Sequence, residues 1–185
     1  MMDEIIMNTI VDVMKNNTNT DMNLHTKKWK KFVIGDLFAI TKGKRLIKDD
    51  QFPGKTPYVS SSMLNNGVTA FIDEAPLCDG NAITVNYNGS VGYSFYQDKP
   101  FFPSDSENVL VAKGWKMTPE IGVFISAIIT FEKYRFTFGR SWKLGRFNKS
   151  EIWLPVNDEG NPDFEWIKSY MSTLPYGTIL SHFGK

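Results

Sequence analysis

The residues most able to ligate a metal or act as base or nucleophile are two histidines, His25 and His182, and one cysteine, Cys78. They lie far apart, and none has the clustered spacing of a zinc site. Gly54-Lys55-Thr56 resembles the end of a phosphate-binding loop, but Asp49 stands where that loop needs its first glycine. Pro57 follows, where a helix should begin with free N–H groups. Gly89-Ser90-Val91-Gly92 matches the GxxG pattern of an RNA-binding loop, yet it lies between strand-like runs and fits a hairpin turn better. There is no Gly-x-Ser-x-Gly elbow, and a Ser-His-Asp triad would have to borrow a poorly placed histidine. The Asn/Asp-Pro-Pro-Tyr segment and the glycine-rich cofactor loop of an amino-methyltransferase are missing, as is a spaced Asp…Glu-x-Lys nuclease set. The chain is expected to be non-catalytic, with no cofactor and no metal.

What remains is a collection of hydrogen-bonding groups beside basic residues. Lys42, Lys44 and Arg45 follow a strand-like run. Ser60, Ser61 and Ser62, with Asn65 and Asn66, make a loop of small donors and acceptors. Tyr87, Asn88 and Ser90 fall at a hairpin tip, and Arg140, Ser141, Trp142, Lys143 and Arg146 form a basic run after Gly139. Arg and Asn read guanine and adenine edges by bidentate hydrogen bonds, whereas Lys, Ser and backbone N–H groups mostly hold phosphates. Taken singly, each group has an ordinary structural explanation: Asn88-Gly89 suits a turn, and Trp142 suits a core as well as a surface. Taken together, the loops favour recognition.

The elements that must position these groups follow from periodicity. Residues 3–15 place Ile5, Ile6, Ile10, Val11 and Met14 at helical spacing, and a polar linker follows. WKKFVIGDLFAITKGKR gives strand-like runs ending at Gly43. TPYVSSS suggests a strand entering a polar loop, and Asn65-Asn66-Gly67 a tight turn. AITVNYNGSVGYSFYQ reads as a hairpin around Asn88-Gly89. Residues 119–133 read as a buried helix, with Thr118 as N-cap and Pro119 at the first helical position. Phe136 and Phe138 alternate with Arg135 and Thr137 as one face of a strand would. A strand, EIWLPV, and a short closing helix over 163–173 complete an α+β pattern with a mixed or antiparallel sheet. Trp29, Phe38, Phe95, Phe124, Ile128 and Leu154 are the expected core. The expected divisions are a short helix and linker over 1–26, a globular domain over 27–173 and a tail over 174–185.

Composition agrees with one folded domain. The chain has 185 residues, 42% of them apolar and 14% aromatic, which excludes a disordered chain. The lone cysteine cannot make an internal disulfide. The start, MMDEII, lacks a secretion signal's basic region, and the longest apolar run, Ile121 to Phe131, is too short to span a bilayer. A cytoplasmic location without membrane association is expected. The net charge of +1 hides a pattern: residues 27–55 and 113–149 each carry +6, while 1–26, 56–112 and 150–185 carry −3, −5 and −3. Two basic blocks brought to one face, around a concave surface, would make the footprint of a polyanion binder.

In their order and spacing, these stretches resemble the target recognition domain of type I restriction–modification specificity subunits and related fused restriction–methylation enzymes. The matching segments run from WKKFVIGDLFAITKGKR and TPYVSSSMLNNGV, through GNAITVNYNGSVGYSFYQDKPFFPSD and FISAII, to YRFTFGRSWKLGRFNKSEIWLPV and GNPDFEWIKSY. The resemblance implies a domain that does no chemistry. It reads a short stretch of double-stranded DNA through loops in the major groove, with basic residues on phosphates. A partner DNA adenine methyltransferase subunit flips and methylates the adenine, and a restriction subunit can join the complex. Members of that family carry two such domains joined by long helices; this chain shows one domain and no long heptad run. The alternatives are a protein-binding regulator or decoy of a restriction complex that retains the fold, and a nuclease with an unrecognised acidic site.

Overall fold

The computed structural model describes residues 22–136, 142–175 and 177–180. The N-terminal helix expected over 3–15 lies outside these residues. The described chain begins with Leu24 buried and its carbonyl accepting from the Trp29 indole at 3.2 Å. Strand β1 (Trp29–Val33) pairs antiparallel with β9 (Glu151–Pro155) as a two-stranded ribbon. A single helical turn, α1 (Ile34–Leu37), links β1 to β2 (Phe38–Lys42).

The centre is a four-stranded antiparallel sheet in the order β2-β8-β5-β6, where β5 is Ala82–Asn86, β6 Ser94–Gln97 and β8 Glu107–Ala112. Its faces are set by the period of two along each strand. Ile83, Val85 and Leu110 meet helix α2 (Pro119–Phe131) and helix α4 (Phe164–Thr173) in the main core, with Phe38, Phe124, Ile128 and Leu154. Ala82 and Val109 turn the other way, against Val59 and Phe101. That side is covered by a smaller sheet, β4-β3-β7, in which β3 (Pro53–Val59) runs antiparallel to β4 (Val68–Ile72) and parallel to β7 (Phe102–Pro103). The result is helix, sheet and sheet in layers, each burying one apolar face against the next. Among the described residues no helix is long and apolar enough to cross a membrane.

The sequence expectations meet this fold unevenly. Helix α2 ends at Phe131 and tightens into a 3-10 turn over Glu132–Arg135. Thr118 holds its N-cap position, but its hydroxyl makes no capping bond. Asp163 does cap α4, accepting from the Trp166 N–H at 3.0 Å. Phe136 stands half-buried outside any strand, so the strand face expected of it is not formed there; Phe138 lies outside the described residues. Trp29 and Phe95 are half-buried rather than fully enclosed. A further short helix, α5 (Gly177–Leu180), lies within the stretch expected to be a tail, and its Leu180 packs on the main core. The remaining helix, α3 (Leu144–Phe147), is one turn held at β2 by the buried Phe147.

Candidate nucleic-acid interface

Register fixes which loops share an end of the central sheet. Lys42 at the close of β2 pairs with Asn108, and Asn108 pairs with Val85, next to the close of β5. The loops after β2 and β5 and the turn before β8 therefore emerge together. The loop after β3 joins them, because the Ser104 N–H donates to the Val59 carbonyl at 2.8 Å and the Asn86 amide donates to the Ser62 carbonyl at 3.1 Å. The C-terminus of α2 reaches the same end, since the Thr130 hydroxyl accepts from the Ser94 N–H at 3.1 Å.

Two glycines make this convergence possible. A Cβ on Gly43 would sit 2.1 Å from the Ser104 carbonyl oxygen, a backbone contact that cannot yield. The missing side chain lets the end of β2 press on the β7–β8 turn, where the Lys44 N–H donates to the Pro103 carbonyl at 3.0 Å. Gly89, at φ 73°, would carry its Cβ 2.8 Å from that of Ser61. The β5–β6 loop thus lies against the serine loop, and the Ser61 hydroxyl donates to the Asn88 carbonyl.

The expected site residues divide into three groups. Lys42, Lys44, Arg45, Asn65, Asn88, Lys143 and Arg146 are exposed, and Ser60, Ser61, Ser62, Tyr87 and Ser90 are partly so. Lys42 is held: its ammonium lies 4.3 Å from the centre of the Tyr87 ring and donates to the Tyr87 hydroxyl at 3.1 Å. That hydroxyl in turn donates to the Asp105 carbonyl. Ser62 accepts from the Leu64 N–H at 3.0 Å and so orders its own loop.

Two expectations require correction. Trp142 is 1% exposed and cannot meet a ligand. Its ring stacks on Phe136 at 4.0 Å and its indole donates to Ser150 at 2.8 Å. Asn66 is exposed, but its amide NH2 is committed within the fold. At φ 56° it turns back to donate to the Tyr96 carbonyl at 2.9 Å and to the Gln97 side chain at 3.2 Å. Gln97 returns a bond to the Asn66 carbonyl at 2.9 Å, so Asn66 braces the serine loop. Arg140 and Ser141 lie outside the described residues.

The basic blocks are split by the fold. Trp142 accepts from the Asn108 amide at 3.1 Å, which sets Lys143 beside the Lys42 end. Lys113 and Lys116 follow β8 at its other end, where the Lys113 N–H donates to the Leu37 carbonyl at 3.0 Å. Only part of each block therefore lies at the Lys42 end, since Lys30 and Lys31 of the first sit in the β1–β9 ribbon and Lys27 pairs with Asp163.

Several residues of this end carry no signal in the sequence. Lys133, just past α2, lies 4.1 Å over the Tyr93 ring, at the other foot of the loop that Tyr87 opens. Beneath the loops, Glu107 is fully buried, and neither carboxylate oxygen has a hydrogen-bond partner among the described residues. Burial alone pushes its carboxyl up to about 8, so it is neutral at pH 7 and adds no repulsion toward a polyanion. Among the described residues no group of three or more His, Cys, Asp or Glu could hold a metal.

The structure is thus an α+β domain whose loops gather cations and neutral hydrogen-bonding groups at one end of its central sheet. A model of the type I restriction modification DNA specificity domain matches residues 26–176, and the chain belongs to that family. It is 32% identical over 162 residues to a specificity subunit of a type II restriction enzyme from Heyndrickxia coagulans, covering 86% of this chain and 48% of the relative. The fold is similar to that of a type I restriction–modification S subunit from M. genitalium (TM-score 0.61, 18% identity, 85% of this chain and 40% of that one). It is also similar to an HsdS subunit from Thermoanaerobacter tengcongensis (TM-score 0.55, 10% identity, 97% and 44%). The chain spans about half the length of these relatives or less.

Proposed function

We propose that this chain is a non-catalytic, sequence-specific reader of double-stranded DNA in a restriction–modification system, acting as a specificity determinant. In this role it directs a partner methyltransferase, and an endonuclease where one is present, to a site. It works in the cytoplasm, where its DNA lies. The globular unit is residues 27–173 together with Leu24 and the helix α5, whose Leu180 packs on the same core. The observation that carries the reading is the convergence at one sheet end of Lys42, Lys44, Arg45 and Lys143 around Ser60–Ser62 and Asn88. The cations supply the sequence-independent attraction to phosphates, and the neutral groups supply hydrogen bonds to base edges. The family supports the methyltransferase as partner.

The test is a mobility shift of the full chain with random-sequence duplexes at two salt concentrations, with and without magnesium. A salt-sensitive shift without cleavage is the expected result. Magnesium-dependent cutting would replace the reading with a nuclease. A second reading, a protein-binding regulator of a restriction complex, is favoured by the apolar side chains of Leu64 and Phe52, 71% and 67% exposed. Absence of any shift would favour it.

A further inference from the structure

The β5–β6 loop, Tyr87 to Tyr93, is bracketed by two tyrosines, and each carries a lysine ammonium over its ring. Lys42 comes from the end of β2 and sits 4.3 Å from the Tyr87 centroid. Lys133 comes from the turn after α2 and sits 4.1 Å from the Tyr93 centroid. The feet of the loop are close together, because the Asn86 N–H donates to the Tyr93 carbonyl at 2.9 Å. Three other lysines also lie on rings, but they differ in setting. Lys27 is spent on an ion pair with Asp163 at 2.6 Å, while Lys30 and Lys31 belong to the β1–β9 ribbon. Among the described residues neither Lys42 nor Lys133 is within ion-pair distance of a carboxylate.

Resting on the DNA-binding reading, we infer that this loop carries a two-lysine clamp for backbone phosphates of duplex DNA. Lys42 on Tyr87 and Lys133 on Tyr93 are the contacts, and the two tyrosines are positioning residues. The chemistry suits the role. An ammonium has three N–H donors, and the ring face holds its charge without using any of them. Lys42 spends one donor on the Tyr87 hydroxyl and keeps two for phosphate oxygens. A lysine already held in place has less rotamer freedom left to lose on contact. Two such points at the feet of one loop fix its register on the sugar–phosphate backbone, leaving Asn88 and Ser90 between them for the groove.

The experiment measures binding of the full chain to a random-sequence duplex across a salt series. Lys42→Ala and Lys133→Ala should each lower the salt slope by about 0.9, and the double variant by about 1.8. Lys168→Ala, an exposed lysine on α4, serves as the charge control and should leave the slope unchanged. Tyr87→Leu should reproduce the Lys42→Ala loss in the parent and add nothing to it in the Lys42→Ala background, while Tyr87→Phe restores part of the binding. If the parent binds with a steep salt slope and the lysine variants match it, the clamp is overturned while the DNA-binding reading stands. If Tyr87→Leu weakens binding equally in both backgrounds, the positioning role is overturned. If the parent binds no duplex, both inferences fall together.

Discussion

Among the described residues, Glu107 stands far from the ordinary ionisation of a carboxyl. A carboxyl raised to about 8 in the fold, against 4.5 when exposed, keeps its proton between those values while the unfolded chain loses it. The folded state then binds more protons, so this group lowers stability as pH rises from about 4.5 to 8, and the loss is complete above that. At pH 7 the penalty is on the order of 2–4 kcal/mol. Glu107→Gln keeps the shape and removes the ionisation. It should raise the melting temperature at pH 7 to 9 and flatten the decline between pH 5 and 8. Equal melting profiles for parent and variant across that range would show that Glu107 ionises freely. Trp142 is the second residue that sets expectation apart from structure. Truncation to Ala should cost roughly 3–5 kcal/mol, as for a fully buried large aromatic. Lys143→Ala, one residue on and exposed, should leave chemical denaturation unchanged. Nothing in the run Arg-Ser-Trp-Lys distinguishes an inserted tryptophan from a displayed one, because the Phe136 ring and the Ser150 hydroxyl that receive it are set by the fold.

At the scale of elements, local pattern was readable and pairing was not. The helix over 119–131 showed itself through its apolar spacing and Pro119, and the hairpin of β5 and β6 through its β-branched and aromatic residues. The placement of β8 between β2 and β5, and the parallel pairing of β3 with β7, depend on contacts between segments far apart in sequence. Asp163 shows a local signal with a distant consequence. It caps α4 by its Oδ1 and pairs with Lys27 by its Oδ2 at 2.6 Å, fastening α4 to the segment that enters β1. Asp163→Ala should cost about 1–2 kcal/mol in denaturant unfolding, the cap supplying most of it. Asp163→Asn retains a capping oxygen and gives up the ion pair, so it should lose under about 1 kcal/mol. Equal losses for the two would mean that the ion pair, rather than the cap, holds the helix. Gly43→Ala tests the other junction. Its Cβ would collide with backbone at the β7–β8 turn, so it should weaken both stability and duplex binding, whereas replacement of the exposed Gly145, which has open space around it, should weaken neither.

For the molecule as a whole, the decisive feature is that charge is distributed by ends of the central sheet rather than by segments of sequence. The basic blocks were visible by counting, but counting could not show that β8 carries Lys113 and Lys116 away from the end where Lys42 pairs with Asn108. Nor could it show that an acidic stretch contributes a neutral Glu107 to the loop end. If only this end faces DNA, as proposed, the effect of surface charge should divide sharply between the two ends. Lys44→Ala with Arg45→Ala removes two exposed cations from the loop end and should reduce the salt slope of duplex binding by about 1.8, as two released counterions require. Lys113→Ala with Lys116→Ala removes the same charge from the opposite end. Charges more than a Debye length from the backbone, about 8–10 Å near physiological salt, are screened, so this pair should leave the slope unchanged. The measurement is a filter-binding or fluorescence titration of both double variants against one duplex at several salt concentrations. Equal reductions would mean that DNA wraps both ends or responds only to net charge, and the one-ended interface would fail.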